Sequence, residues 1–93
     1  MHSRVTFSGH AIIRMFEREI GSDEVLEVID KGDAIEEYPD DTPYTSKLLS
    51  GCYNERPIHG VVARNEAENE TIVITVYEPD PEKWESEFTR RRV

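Results

Sequence analysis

The hydrophobic periodicity of this chain changes at Gly32, and this change constrains the fold more than any other feature. Before Gly32, apolar residues recur at helical spacing, which is typical of amphipathic helices. After Gly32, short apolar runs lie between turn-forming residues, which is typical of strands. Helices that precede a set of strands can pack together on one face of an antiparallel sheet. We therefore predict an α+β fold, and the 93 residues fit a single domain over 1–93.

Two helices are predicted, and only Gly21 and Ser22 separate them. Ser8 is placed to cap the first helix, because a serine side chain can accept a hydrogen bond from a free backbone N–H at a helix N-terminus. This helix should extend to about Ile20, and we expect Gly21 to close it in the left-handed conformation. Ser22 is expected to cap the second helix, which should end at Gly32.

Five strands are predicted. A short strand at 5–7 precedes the first helix, and the others cover 34–38, 45–53, 58–64 and 71–77. Since short turns connect the last four, we expect a four-stranded antiparallel meander with both helices packed on one face. Trp84 and Phe88 are about one helical turn apart, so a short C-terminal helix could follow.

The predicted core draws on both helices and on the last two strands. The alternation in 71–77 places Ile72, Ile74 and Val76 on one side of the sheet. The complete predicted core is Ile12, Ile13, Phe16, Val25, Val28, Ile29, Val61, Ile72, Ile74 and Val76.

The formal net charge is −9, and residues 17–41 account for all of it. That segment holds eleven acidic residues but only two basic ones, Arg18 and Lys31, whereas the rest of the chain is neutral. An acidic total disfavours strong binding to DNA, which needs a basic surface. The segment is interpreted either as a solvated face that aids solubility or as a partner-binding surface. Elsewhere we expect one positive concavity, near Arg14 and Arg18.

Composition excludes several classes of protein. Cys52 is the only cysteine, so neither an internal disulfide nor a cysteine zinc site can form. No apolar run approaches the ~18–20 residues of a membrane span, and the N-terminus lacks the apolar stretch of a secretory signal. The histidines show no metal-binding spacing, so we expect no metal and no cofactor. We therefore expect a cytoplasmic protein that does not bind membranes.

The main functional feature is a stripe of basic side chains on the first helix. His10, Arg14 and Arg18 are spaced by four residues, so each lies about 40° around the helix from the one before. Cationic side chains at this spacing repel one another unless an anion or a carboxylate lies beside them. The alternative is that the arginines form structural ion pairs, for example Arg14 with Glu17.

Motifs along nearly the whole chain resemble a small bacterial domain family of unknown function. The first motif is Phe7-x-x-His10-Ala11-x-x-Arg14-Met15-x-x-Arg18-x-Ile20, followed by Val25, Gly32 and Tyr38-Pro39. The later motifs are Arg56-Pro57-x-His59, the strand 72–76 and Tyr77-Glu78-Pro79-Asp80-x-x-x-Trp84. This family is similar to RelE- and BrnT-like toxins of toxin–antitoxin pairs. The resemblance implies a RelE/BrnT-like fold, RNA cleavage, and neutralisation by an antitoxin-like partner protein.

RNA cleavage without a metal needs a base for the 2′-hydroxyl proton, a cation for the phosphorane charge and an acid for the 5′-oxygen. Histidines can move protons near neutral pH, and arginines can hold phosphate oxygens. Side chains at the end of the last strand can be held rigidly. The candidate catalytic residues are His10, Arg14, Arg18, His59, Tyr77 and Glu78.

Structural interpretations remain open beside these. His10 could bond only to a neighbouring backbone group, and His59 alternates with Val61 and Ala63, which is typical of a buried, hydrogen-bonded histidine. The arginines at 90–92 are either phosphate clamps or a frayed tail. Two functions stay open. The first is a toxin-like, metal-independent endoribonuclease, and the second is a non-catalytic protein- or anion-binding module that pairs with a small zinc-finger or antitoxin-like protein.

Overall fold

The computed structural model describes residues 4–84, and the order of its elements follows the predicted one. The elements are β1 (Arg4–Phe7), α1 (Gly9–Arg18), α2 (Ser22–Lys31), β2 (Asp33–Tyr38), β3 (Ser46–Tyr53), β4 (Arg56–Asn65) and β5 (Glu70–Tyr77). The predicted bounds are confirmed to within about two residues, the usual uncertainty at element ends. The C-terminal helix predicted at Phe88 and the arginines at 90–92 lie outside the described residues. No helix of residues 4–84 is long and apolar enough to span a membrane.

The sheet is five-stranded and mixed, with the strand order β1-β5-β4-β3-β2. Strands β2 to β5 are antiparallel neighbours, but β1 adds to them as a fifth strand that lies parallel to β5. The α+β class is right, whereas the predicted four-stranded antiparallel, RelE/BrnT-like sheet is wrong. Local patterns do not indicate this pairing, because β1 and β5 lie far apart in sequence and no turn between them sets their register.

Hydrogen bonds at the ends of α1 confirm one predicted cap and correct another. The Ser8 Oγ accepts from the Ala11 N–H at 3.0 Å, which confirms Ser8 as the N-cap. The helix ends at Glu19 rather than Gly21, and Glu19 adopts the left-handed conformation at φ 54°. Gly21, one residue earlier than predicted, is the N-cap of α2, and its N–H donates to the Glu24 carboxylate at 3.2 Å.

Helix α1 packs on the sheet with a different face from the predicted one. The buried line of the helix is Ala11 with the partly buried Met15. Ile12, Ile13 and Phe16 are 55%, 59% and 87% exposed, so their predicted core positions are wrong. Since α1 has apolar residues on a wide arc, periodicity alone could not decide which part of that arc meets the sheet.

A bulge in β5 overturns the predicted alternation of that strand. Val61 pairs with Thr75 and Val62 pairs with Val73, so Ile74 has no partner on β4. Residues beyond the bulge therefore lie on the side of the sheet opposite to the one that simple alternation predicts. The buried apolar residues of β5 are therefore Val73 and Val76, while Ile74 is 36% exposed.

The observed core lies between the two helices and the central strands. It consists of Ala11, Ile20, Val25, Val28, Leu49, Ile58, Val62, Val73 and Val76. Val25, Val28 and Val76 are confirmed, and Ile29 packs against this cluster from its edge. Val61 and Ile72 are only half-buried and do not belong to it.

Candidate functional site

A cleft of about 380 Å³ lies between α1 and the C-terminal end of β5. Its volume falls within the ~300–1,000 Å³ that is usual for small-ligand sites. The lining residues are His10, Arg14, Arg18, Thr75, Val76, Tyr77, Glu78, Asp80, Lys83 and Trp84. Five of the six predicted site residues therefore meet here, and His59 is the exception.

The cleft exists because β1 covers only the first half of β5. Strand β1 pairs with residues 70–73 of β5, and the chain then turns into α1. Ser8 fixes this turn, because its N–H donates to the Val73 carbonyl and its hydroxyl donates to the Ile74 carbonyl, both at 2.9 Å. The same serine that caps α1 thus attaches the helix to β5. The stripe lies beside the buried line of Ala11 and Met15 and so faces the end of β5.

The two arginines of the stripe are available to a ligand. The Arg14 Nη1 lies 3.7 Å from a Glu17 carboxylate oxygen, and both side chains are substantially exposed, at 42% and 55%. Such an exposed pair is weak, and it leaves most of the guanidinium donors free. Within residues 4–84, the Arg18 side chain makes neither a hydrogen bond nor an ion pair. Two guanidinium groups on one helical face can hold a phosphate by several N–H···O bonds.

Tyr77 connects the cleft to the buried His59. The His59 side chain is fully buried, and its Nδ1 shares a hydrogen bond of 3.2 Å with the Tyr77 hydroxyl. Ser50 and Tyr77 flank His59 in the sheet register. The Trp84 ring packs on the imidazole at right angles, with ring centroids 4.5 Å apart. His59 itself does not line the cleft, but it contacts two residues that do, Tyr77 and Trp84.

Glu78 lies at the cleft edge, but Arg56 engages it. The Arg56 Nη2 donates to the Glu78 carboxylate at 2.5 Å and to the Arg18 carbonyl at 2.7 Å. The Nη1 donates to the Glu19 carbonyl at 2.8 Å and to the Glu24 carboxylate at 3.0 Å. The hydrogen bond with Glu78, followed by the charges of Glu78 and Glu24, raises the pKa of Arg56 against an opposing effect of burial. Glu78 is therefore primarily an ion-pair partner rather than a free base.

Sequence reasoning missed Arg56 and Lys83. Arg56 stood in the Arg56-Pro57-x-His59 motif, which was a signal for a role, but its contacts at the end of α1 depend on the tertiary fold. Lys83 reaches the cleft because the turn after β5 folds back. In this turn the Asp80 carbonyl accepts from the Lys83 N–H at 2.9 Å and from the Trp84 N–H at 3.1 Å. The proline-flanked Asp80 was the available signal for such a turn.

The electrostatic character of the cleft is locally positive despite the acidic chain. Arg14, Arg18 and Lys83 contribute three cationic groups, and Asp80 and Glu78 contribute two anionic ones. Cationic residues therefore outnumber anionic ones by one in the lining, and Glu78 also pairs with Arg56. Within residues 4–84, no group of three or more histidine, cysteine, aspartate or glutamate side chains is arranged to hold a metal ion. The described side chains are suited to bind an anion and to transfer protons.

Fold and site together define a small α+β domain with a cationic cleft at the edge of its sheet. The chain belongs to the family described as domain of unknown function DUF4258, which matches residues 7–78. This confirms the family resemblance seen in the sequence motifs. No curated protein and no solved structure matches the chain, so the similarity to RelE- and BrnT-like toxins gains no support from these comparisons.

Proposed function

We propose that this protein is a metal-independent endoribonuclease that acts at the cleft between α1 and β5. One observation supports the proposal above the others. The stripe of His10, Arg14 and Arg18 and the side chain of Tyr77 line one cavity, which is large enough for a nucleotide-sized group. Phosphate binding and proton transfer therefore have side chains within one site.

Arg14 and Arg18 would bind the scissile phosphate. Negative charge grows on the non-bridging oxygens as the 2′-oxygen attacks phosphorus, so fixed guanidinium donors stabilise the transition state more than the ground state. The weak contact between Arg14 and Glu17 is readily exchanged for a phosphate, because both groups are exposed. Lys83, which lines the same cleft, would add a third positive charge.

His10 and Tyr77 would move the protons. His10 accepts the proton of the 2′-hydroxyl, and the 2′-oxygen forms the bond to phosphorus. The bond from phosphorus to the 5′-oxygen breaks, and Tyr77 gives its hydroxyl proton to that leaving oxygen. His59 acts as a positioning residue, since an N–H at Nδ1 donates to the phenolate oxygen that remains. Water then returns both residues to their starting protonation.

The direct test is cleavage of a mixed RNA pool in EDTA, with and without ribosomes. Arg14→Ala or Arg18→Ala should lower the rate by about 10²–10³, the effect of removing one fixed electrostatic stabiliser. His10→Ala should lower it by about 10²–10⁴. Arg4→Ala is a matched control, because it also removes one exposed arginine but lies on β1, away from the cleft-lining residues. Activity that survives the cleft substitutions, or that EDTA abolishes, would reject this mechanism.

A non-catalytic anion-binding module is the second candidate. The observation in its favour is that the pair of Glu78 with Arg56 and the bond of His59 with Tyr77 both occupy groups that could otherwise take part in proton transfer. In that case the same cleft binds a phosphate or RNA and leaves it intact. Binding of a labelled RNA oligonucleotide that depends on Arg18, without any cleavage product, would favour this function.

A further inference from the structure

An apolar groove lies beside the junction of α1 and α2, away from the cleft. Its lining residues are Ile12, Met15, Phe16, Glu19, Ile20, Gly21 and Glu24. Phe16 is 87% exposed and Ile12 is 55% exposed, although both are large and apolar. Exposed aromatic and aliphatic side chains that cluster around a groove are typical of a protein interface.

The groove and the cleft lie on opposite sides of the buried line of α1. At ~100° per residue, Ala11 and Met15 lie between the two surfaces. The cleft stripe of His10, Arg14 and Arg18 is on one side, and Ile12 with Phe16 is on the other. The two surfaces have no lining residue in common. A ligand in the groove therefore does not need to enter the cleft.

We propose that this groove binds a basic amphipathic helix of a partner protein. Ile12 and Phe16 are four residues apart on one helix, so they offer two apolar contacts one turn apart. An amphipathic helix with apolar residues at i, i+3, i+4 and i+7 matches such a spacing. Phe16 is the expected anchor, because large aromatic side chains at the centre of an interface supply much of its affinity.

The charges around the groove require the partner to be basic. Both charged residues that line it, Glu19 and Glu24, are acidic. Arg56 is shared between Glu24 and Glu78, whereas the Glu19 side chain has neither a hydrogen bond nor an ion pair within residues 4–84. Asp23 lies next to Glu24 in the first turn of α2 and adds a further negative charge. Lysine or arginine beside the apolar stripe of the partner would complement this rim.

The same charges argue against a second copy of this chain as the occupant. A two-fold contact through the groove would bring the Glu19 carboxylates of both copies into one interface. Each copy also carries a net charge of −9. Like charges that face each other across an interface oppose association, so a homodimer through this face is disfavoured.

The experiment uses a displayed library of helical peptides of about five turns. Leucine is fixed at the four apolar positions, and the flanking positions vary among lysine, arginine, glutamate, aspartate and glutamine. Selection on the full chain should enrich lysine and arginine. The selected peptides should bind more weakly as salt rises.

Alanine variants locate the binding site of the selected peptides. Phe16→Ala should weaken binding at least about tenfold, and Ile12→Ala should weaken it by a smaller factor. Ile13→Ala is the matched control, because Ile13 lies on the same helix and is 59% exposed but does not line the groove. It should change the affinity by less than about twofold. None of the three should lower the unfolding midpoint appreciably, since all these side chains are exposed.

Three results would overturn the proposal. The first is enrichment of acidic peptides or of no particular charge. The second is binding that Ile13→Ala weakens as much as Ile12→Ala, or that persists in Phe16→Ala. The third is concentration-dependent self-association of the chain that Phe16→Ala abolishes, because a second copy would then be the occupant. None of these outcomes bears on the proposed RNA cleavage, because the groove and the cleft share no lining residue.

Discussion

At the scale of single residues, the hydroxyl of Tyr77 bonds to the buried His59, and the proposed mechanism also makes it the general acid. Tyr77→Phe should lower RNA cleavage by about 10²–10⁴, the range for loss of a general acid. It should also destabilise the fold by about 1–3 kcal/mol, because the buried Nδ1 of His59 loses this partner. Cleavage assays and urea unfolding measure the two effects. Tyr53→Phe is the control, since Tyr53 packs against the core and does not line the cleft.

The role of His59 can be separated from mere packing. His59→Asn keeps an N–H near the Nδ1 position, whereas His59→Ala does not. If His59 positions Tyr77, the asparagine variant should retain more activity than the alanine variant at equal folded fraction, and the pH dependence of cleavage should differ between them. Equal loss in both variants would assign His59 a packing role only.

Arg56 is predicted to stabilise the fold through its four hydrogen bonds. Arg56→Lys keeps the charge but cannot reproduce the planar fork, so it should lower the free energy of unfolding by about 1–3 kcal/mol. The pKa of Arg56 is raised in the folded protein. The stability that its charge contributes is therefore fully present below the ordinary pKa of arginine, and it is lost only as pH rises through the pKa of the folded state. Arg56 should therefore add no pH dependence to stability near neutrality.

Arg4→Ala is the control for this substitution. It removes one exposed ion pair and should change stability by less than about 1 kcal/mol.

At the scale of elements, the packing of α2 against β3 depends on a close backbone approach at Gly32. A Cβ at this position would lie 2.5 Å from the Val28 carbonyl oxygen and 2.9 Å from the Ser50 carbonyl oxygen. Gly32→Ala should therefore push α2 away from β3 and destabilise the protein by about 1–3 kcal/mol.

Gly9 is the matched control for this change. It lies at the first position of α1, and a Cβ there would have no atom within 4 Å. Gly9→Ala should leave stability unchanged or raise it by up to about 1 kcal/mol, because alanine favours the helix. Thermal unfolding of both variants measures the difference. Equal effects of the two substitutions would show that the close approach at Gly32 does not matter.

Element types and bounds could be predicted because they depend on local chemistry. The cap at Ser8 is one such feature, and its hydrogen bond to the Ala11 N–H was predictable from the residue type alone. The buried face of α1 was not predictable. Phe16 has far more apolar area than Ala11, so hydrophobicity favours burial of Phe16, yet Ala11 is the buried residue. The bulge at Ile74 was not predictable either, since it depends on pairing with β4.

The candidate site shows the same division. Helical spacing predicts that His10, Arg14 and Arg18 share one face of α1, but the position of that face at a cleft depends on which arc of the helix meets the sheet. The burial of His59 and the engagement of Glu78 by Arg56 depend on strands and turns that are distant in sequence. Sequence reasoning therefore found the cationic stripe that lines the cleft but not the contacts that Tyr77 and Glu78 make with His59 and Arg56.

At the scale of the whole molecule, charge is separated along the sheet. Helix α2 and the edge strand β2 carry most of the acidic segment, and they lie on the β2–β3–β4 side. The cleft lies at β5, towards the other edge. An approaching polyanion is therefore repelled by the net negative charge of the molecule and attracted by the cationic residues of the cleft.

This separation predicts an unusual dependence of RNA binding on ionic strength. The longest dimension of the molecule is 38 Å. The screening length is about 30 Å at 0.01 M salt and about 8 Å at 0.15 M. At low salt, RNA at the cleft should therefore feel the net charge of −9, whereas moderate salt screens the remote acidic residues but not a phosphate in contact with Arg14 and Arg18. The association rate should first rise and then fall as salt increases.

A variant with fewer remote acids isolates the cause of that rise. Asp30→Asn, Asp33→Asn and Glu37→Gln each remove one negative charge, so together they change the net charge from −9 to −6 without touching a residue that lines the cleft. The variant should bind a labelled RNA oligonucleotide faster than the wild type at low salt and equally fast at moderate salt. Stopped-flow association across a salt series measures both. If the wild-type rate instead falls steadily from the lowest salt, as it does for proteins whose whole surface is basic, the cleft alone governs the approach of RNA and the remote acidic elements do not.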